Sequence, residues 1–71
     1  MGREIRHQIA HRIREVRQTR GLTQAELSER SKVAYKYIQQ IEGKNPPNMR
    51  VDTLARIAKT LQIKCSQLID F

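Results

Sequence analysis

The sequence predicts an all-α fold of five short helices, and three observations support this fold class. Apolar residues recur at helical spacing in separate stretches of the chain. Turn signals, chiefly glycines and two adjacent prolines, divide those stretches. No stretch alternates polar and apolar residues with the period that a half-buried strand requires. At 71 residues the chain has room for one small hydrophobic core and therefore for one domain.

The first two helices have clear start and stop signals. An apolar stripe predicts a first helix over about residues 3–19, and Gly21 supplies a left-handed stop. The stripe consists of Ile5, Ile9, Ile13 and Val16. A second helix then starts after Thr23, whose hydroxyl can accept from the amide of Glu26 while the Glu26 carboxylate accepts from the amide of Thr23. This capping box predicts a helix that extends to about Ser31.

The second half of the chain contains three more helices. A short turn leads to a third helix over about residues 35–42, which Gly43 ends. The adjacent prolines of "KNPPN" then interrupt helix formation. Apolar residues at helical spacing between Val51 and Leu61 predict a fourth helix, and residues 65–69 form a short fifth one.

The third helix has an unusual outward face. At about 100° per residue, Ala34, Ile38 and Ile41 share the core side. The residues that point away are long and hydrogen-bonding, with a tyrosine at the flank: Lys36, Gln39, Gln40 and Tyr35. Glutamine can bind the edge of adenine, and lysine the acceptors of guanine, in the major groove of DNA. The alternative, for this helix taken alone, is an ordinary solvated face.

The charge balance narrows the class of partner. The chain carries 14 Lys and Arg against 7 Asp and Glu, a formal net charge of +7. This excess favours a polyanionic partner, either nucleic acid or an anionic membrane surface. No apolar run has membrane-spanning length, and Cys65 has no second cysteine with which to form an internal disulfide. We therefore expect a cytoplasmic protein without a membrane segment.

The sequence indicates no catalytic or metal site. It contains no nucleophile with a base at helical spacing, no carboxylate pair in an apolar setting and no glycine-rich phosphate loop. His7 and His11 are four residues apart on the first helix, but no third ligand stands near them. We therefore expect no enzyme activity, no bound metal and no cofactor.

Several spaced motifs resemble the phage-repressor and Cro type of helix-turn-helix domain, the XRE family of bacterial regulators. They are "GLTQAEL", "YIQQIEGK", "TLARIAKTLQI" and "SQLI", and the resemblance extends over about residues 9–69. It implies a compact five-helix, lambda-repressor-like domain whose second and third helices form the DNA-reading unit. We assign this domain to residues 9–71. Residues 1–8 form a helical extension that could be an arm toward DNA, a dimer contact or a frayed end.

The resemblance implies two groups of DNA-contacting residues. The base-reading positions are Tyr35, Lys36 and Gln40, with Gln39 as a further candidate. The phosphate-binding positions are Gln24, Lys44 and Asn45, with Arg50 placed to help. Phosphate contacts position a domain on the duplex, whereas base contacts specify the sequence. For Tyr37, the helical wheel favours packing at the edge of the core with the hydroxyl toward a phosphate.

The resemblance also implies a structural ion pair and three local departures. Arg17 and Glu42 match a pair that links the first helix to the end of the third. Lys32 and Gln62 stand where glycine is common, so we expect a reshaped turn and a different end to the fourth helix. Ala34 replaces the usual serine or threonine cap.

Two functions from different classes remain. The first is a sequence-specific transcriptional regulator, a repressor, that binds double-stranded DNA as a homodimer formed in solution or only on DNA. The apolar residues near the end of the chain, Leu68, Ile69 and Phe71, would supply the dimer contact. The second is an antitoxin or adaptor whose helix-turn-helix domain mainly binds a protein partner, such as a toxin. The net charge and the outward lysine and glutamines favour the first.

Overall fold

The computed structural model describes residues 3–69, and that part of the chain is all-helical. The helices are α1 Arg3–Thr19, α2 Gln24–Ser31, α3 Tyr35–Ile41, α4 Val51–Thr60 and α5 Cys65–Leu68. The predicted fold class and order of helices are confirmed. Helix α1 continues without interruption across the proposed boundary at residue 8, and that boundary stays a prediction. Within residues 3–69, no helix combines the length and apolar character needed to cross a membrane.

A single apolar cluster holds the helices together. Its largest fully buried side chains are Ile9, Ile13, Leu27, Ile38, Ile41, Ile57, Leu61 and Leu68. Helix α2 packs on both α3 and α4, and α5 packs on α4 and α1. Every helix contributes to this cluster. Helix α3 contributes Ile38 and Ile41, and the burial of these two side chains sets its orientation.

Two residues lie elsewhere than the sequence predicts. Ala34 is exposed and precedes α3 with an extended ψ of 136°, so the helical wheel does not apply to it and it is not on the core side. Leu68 is fully buried, so it belongs to the core and supplies no surface for a dimer contact. Ile69 is 49% exposed. Phe71, the third residue of the expected contact, lies outside the described residues.

Helices α1 and α4 end in the same way. After α1 the amide of Leu22 donates to the carbonyl of Arg17 over 3.1 Å, with Gly21 between them at a φ of 70°. After α4 the amide of Ile63 donates to the carbonyl of Ala58 over 3.0 Å, with Gln62 between them at a φ of 61°. Both are Schellman ends, which favour glycine at the left-handed position. The expected different end of α4 is therefore wrong, because Gln62 adopts the left-handed conformation despite its side chain.

The turn between α2 and α3 also keeps a left-handed residue. Lys32 has a φ of 63° and a ψ of 24°, so the expected reshaping of this turn is wrong as well. Two serine hydroxyls stabilise the turn: Ser28 donates to the carbonyl of Val33 over 2.6 Å, and Ser31 accepts from the amide of Val33 over 3.3 Å. Val33 is itself buried, which anchors the start of α3 to the core.

Candidate nucleic-acid interface

The outward side of α3 carries four exposed side chains. They are Tyr35, Lys36, Gln39 and Gln40, and we call them the α3 face. Ile38 and Ile41 on the opposite side are fully buried, which fixes the rotation of the helix. Within residues 3–69, none of the four forms a side-chain hydrogen bond or ion pair with the rest of the chain. Their donors and acceptors are therefore available to a ligand.

The start of α2 is closed by the predicted capping box. The amide of Glu26 donates to the Thr23 hydroxyl, and the amide of Thr23 donates to the Glu26 carboxylate, both over 3.0 Å. The hydrogen bond from the Thr23 amide to the carboxylate, followed by an interaction of the carboxylate with the Thr23 hydroxyl, holds the pKa of Glu26 below its ordinary value, with a smaller contribution from the charge of Arg30. Glu26 is therefore charged at neutral pH, close to the positive end of the α2 dipole.

Arg17 and Glu42 form a bidentate ion pair that joins α1 to the end of α3. Arg17 Nε lies 2.8 Å from Glu42 Oε2, and Arg17 Nη2 lies 2.8 Å from Glu42 Oε1. The side chains are only 11% and 3% exposed, respectively. Arg17 Nη1 also donates to the carbonyl of Leu22 over 2.7 Å. The pair, with the bond to Leu22, therefore links α1 both to the end of α3 and to the segment that leads into α2.

Glu42 also orients a glutamine at the start of α2. Gln24 Nε2 donates to Glu42 Oε1 over 3.2 Å. A side-chain amide nitrogen carries two hydrogens, so this contact leaves Gln24 with a second N–H and with its carbonyl oxygen. The first residue of α2 is thus attached to the residue that follows α3 through one carboxylate.

Arg14 is a residue that the sequence analysis missed. It lines a depression of about 500 Å³ together with Thr23, Gln24 and Glu42, at the start of α2. Arg14 is exposed. The available signal was its spacing, because a residue three positions before Arg17 lies on the same face of α1. A cation beside the amides of a helix start makes this depression suitable for an anion.

The segment between α3 and α4 contains the remaining expected contacts. Lys44 and Asn45 are exposed, just after α3. Tyr37 is half-buried against the core, and its hydroxyl donates to the carbonyl of Asn48 over 3.2 Å, which ties this segment to α3. Arg50 occupies the N-cap position of α4 without a side-chain capping bond and is exposed, with its Nε 3.3 Å from Asp52 Oδ1.

The histidines of α1 do not form part of a cluster with metal-binding composition. His7 and His11 are exposed, and His11 Nε2 lies 3.8 Å from Glu15 Oε2. No group of three or more His, Cys, Asp or Glu that could hold a metal ion occurs in the part of the chain that the structure describes.

Comparison with known proteins identifies the family. The family model of the Cro/C1-type HTH DNA-binding domain matches residues 12–71. No curated protein and no solved structure matches the chain significantly. The matched range includes the α3 face, the Arg17–Glu42 pair and Gln24. The chain therefore belongs to the family of Cro/C1-type helix-turn-helix DNA-binding domains.

Proposed function

We propose that this protein is a sequence-specific transcriptional regulator that inserts α3 into the major groove of double-stranded DNA and acts as a repressor. The observation that carries the proposal is the α3 face. Four exposed residues whose side chains form no hydrogen bond or ion pair within the described chain lie opposite a fully buried side of the same short helix. An α-helix fits the major groove, where each base pair presents a distinct pattern of donors and acceptors.

The chemistry of the α3 face suggests which bases it reads. The ammonium group of Lys36 suits the O6 and N7 acceptors of guanine, and the amides of Gln39 and Gln40 can each pair with N6 and N7 of adenine. Tyr35 is 47% exposed at the first position of α3 and offers both a ring and a hydroxyl. We assign base recognition to these four residues.

A second group of residues positions the domain on the phosphates. Its members are Arg14, Gln24, Lys44, Asn45 and Arg50. Tyr37 supports this group by holding the segment between α3 and α4, since its one hydroxyl hydrogen is donated to the carbonyl of Asn48. Gln24 has a free N–H beyond its contact with Glu42, at a helix start that favours anions. Lys44 and Arg50 are exposed cations on either side of the segment between α3 and α4. Because such contacts carry no sequence information, they act on affinity and register.

Selective binding requires two copies of the domain. One recognition helix reads too few base pairs for useful selectivity in a genome, and two-fold symmetric dimers read inverted repeats. The half-sites would lie about one helical turn apart. In the described part of the chain, Ile5 and Ile69 are half-exposed on α1 and just after α5. Helices α1 and α5 contact each other, since Arg12 Nη1 donates to the carbonyl of Gln67 over 2.7 Å. A dimer whose operator overlaps a promoter would repress by excluding polymerase.

Selection from random-sequence duplexes at two salt concentrations tests the proposal. An enriched inverted repeat would support sequence-specific binding by a dimer. Steeply salt-dependent binding without an enriched motif would reduce the interaction to phosphate attraction and would favour the protein-partner function instead.

Variants of the α3 face separate recognition from affinity. Lys36→Ala with Gln40→Ala should lower discrimination between the selected site and random duplex by about ten-fold or more. The matched control, Lys64→Ala with Gln8→Ala, removes the same residue types from exposed positions to which the proposal assigns no base contact. Lys44→Ala should instead weaken binding to all duplexes and lower the salt slope by about one unit. Unchanged discrimination in the α3 variant would show that the base-reading assignment is wrong.

A further inference from the structure

A second basic surface lies at the C-terminal ends of α2 and α4. There a depression of about 580 Å³ is lined by Arg30, Ser31, Lys32, Arg56, Lys59 and Thr60, and we call it the basic depression. Four of these six residues are cations and none is an acid. Within residues 3–69, none of the four cations forms an ion pair with a carboxylate. The positive charge of this surface is therefore not neutralised by a direct contact.

The electrostatics of the helix ends account for two of the four cations. Arg30 and Lys59 lie in the last turns of α2 and α4, where a cation offsets the partial negative charge of the terminal carbonyls. Arg56 lies before the last turn of α4. Lys32 occupies a left-handed position with a φ of 63°, which glycine adopts at lower cost. Local folding therefore does not account for Lys32 and Arg56, both of which are exposed.

The basic depression lies at the opposite ends of α2 and α4 from Gln24 and Arg50, although Lys32 precedes Tyr35 by only three residues. Gln24 is the first residue of α2 and Arg50 directly precedes α4. The 8 residues of α2 and the 10 residues of α4 correspond to lengths of about 12 and 15 Å. Measured along the helix axes, Arg30 and Lys59 therefore lie most of a helix length from Gln24 and Arg50.

We infer that the basic depression binds an acidic segment of a partner protein, and that it does so while the α3 face is on DNA. Four cations around one concave site complement several carboxylates of one peptide, and the arginines can each hold a carboxylate in a bidentate way. A depression of this size accommodates a few side chains, whereas duplex DNA presents a broad convex surface. The inference goes beyond the proposed function, because the partner would bind independently of which operator is read.

An oligoglutamate peptide is a suitable probe. We expect its titration into the isotope-labelled protein, free and bound to duplex DNA, to shift the backbone amide NMR signals of residues 30–32 and 56–60 in both states. Shifts concentrated at residues 35–40 and lost in the DNA complex would show that the peptide merely competes for the DNA surface. Absence of peptide binding at low ionic strength would also overturn the inference.

Charge-neutral variants test the assignment while they keep the cations of the last helical turns. Lys32→Gln with Arg56→Gln keeps Arg30 and Lys59, and we expect peptide affinity to fall by about three- to ten-fold with duplex affinity equal to that of the control. The control, Arg20→Gln with Lys64→Gln, removes the same number of charges from exposed positions outside the depression and should retain more of the peptide affinity. Equal loss of peptide binding in both variants would show that the peptide responds only to the net charge of the protein, and would overturn the inference. A selective loss of duplex binding in the first variant would assign the depression to DNA.

Discussion

Replacing Arg17 with methionine should destabilise the domain by about 3 kcal/mol, because the substitution leaves a buried charge without its main partner. Glu42 is 3% exposed, and the amide of Gln24 would then be the remaining side-chain donor to its carboxylate. The carbonyl of Leu22 would lose a donor as well. Removing one partner of a fully buried pair costs about 3 to 5 kcal/mol, and the 11% exposure of Arg17 places this pair at the lower end.

This cost is a large fraction of the total stability. A domain of 71 residues has a free energy of unfolding of about 4 to 10 kcal/mol. A loss of about 3 kcal/mol in a domain of this size lowers Tm by roughly 12 to 24 °C. Arg17→Met should therefore be partly unfolded at moderate temperature, although Arg17 is not assigned any contact with a base.

Denaturant unfolding followed by circular dichroism measures the effect. The matched cycle adds Glu42→Gln and the double variant, in which neither charge remains. We expect the double variant to cost less than the sum of the single variants by about 2 kcal/mol, because the penalty for an unpaired buried charge is absent. A cost below about 1 kcal/mol for Arg17→Met, or strictly additive costs in the cycle, would refute a buried, coupled pair.

Three further substitutions, one of them with a control variant, test local features. Gln62→Gly should stabilise the fold by about 0.5 to 1 kcal/mol by relieving a left-handed side chain, whereas Ala55→Gly in the exposed interior of α4 should destabilise it by about 1 kcal/mol. Ala34→Ser should add about 1 kcal/mol, because the start of α3 has no side-chain cap. Glu26→Gln keeps an acceptor for the amide of Thr23 but removes the charge. Since the pKa of Glu26 is lowered in the folded state, its charge stabilises the protein above the ordinary carboxyl pKa, and the advantage over the variant should vanish as pH falls through the folded value.

Each of these results can be contradicted by thermal or chemical unfolding of the variant beside the parent protein. Equal losses for Gln62→Gly and Ala55→Gly would mean that position 62 does not carry left-handed strain. No gain from Ala34→Ser would mean that the amides at the start of α3 are already well hydrated. A stability difference between parent and Glu26→Gln that is independent of pH would contradict the lowered pKa.

Local signals in the sequence predict most of the fold, and the errors occur where tertiary packing decides. The apolar stripe, Gly21 and the Thr23 capping box place the bounds of α1 and α2 because each depends on residues that are close in sequence. The burial of Leu68 is decided by the packing of α5 on α4 and α1, which a count of apolar residues near the end of the chain does not reveal. The helical period of α3 predicted a core position for Ala34, but Ala34 precedes the helix, so that period does not apply to it.

The candidate site likewise has a part that the local sequence predicts and a part that depends on tertiary packing. The α3 face is predictable because it is the complement of a buried stripe, and a helical wheel shows both sides. Arg14 is different, since it joins Gln24 and Glu42 around one depression only after α1, α2 and α3 have packed together. Lys32 and Gln62 show that core packing and Schellman ends can impose a left-handed conformation on residues that do not prefer it.

The separation between the α3 face and the Arg17–Glu42 network has a consequence for how such a domain can diversify. Exposed side chains without partners within the described chain can be exchanged at a cost that is usually within about 0.5 kcal/mol. Combinatorial libraries at positions 35, 36, 39 and 40 should therefore consist mostly of folded members. Under the proposed function, base recognition lies on a surface that can be exchanged while the scaffold is kept, so new binding preferences can arise by substitution at these positions without compensating changes elsewhere.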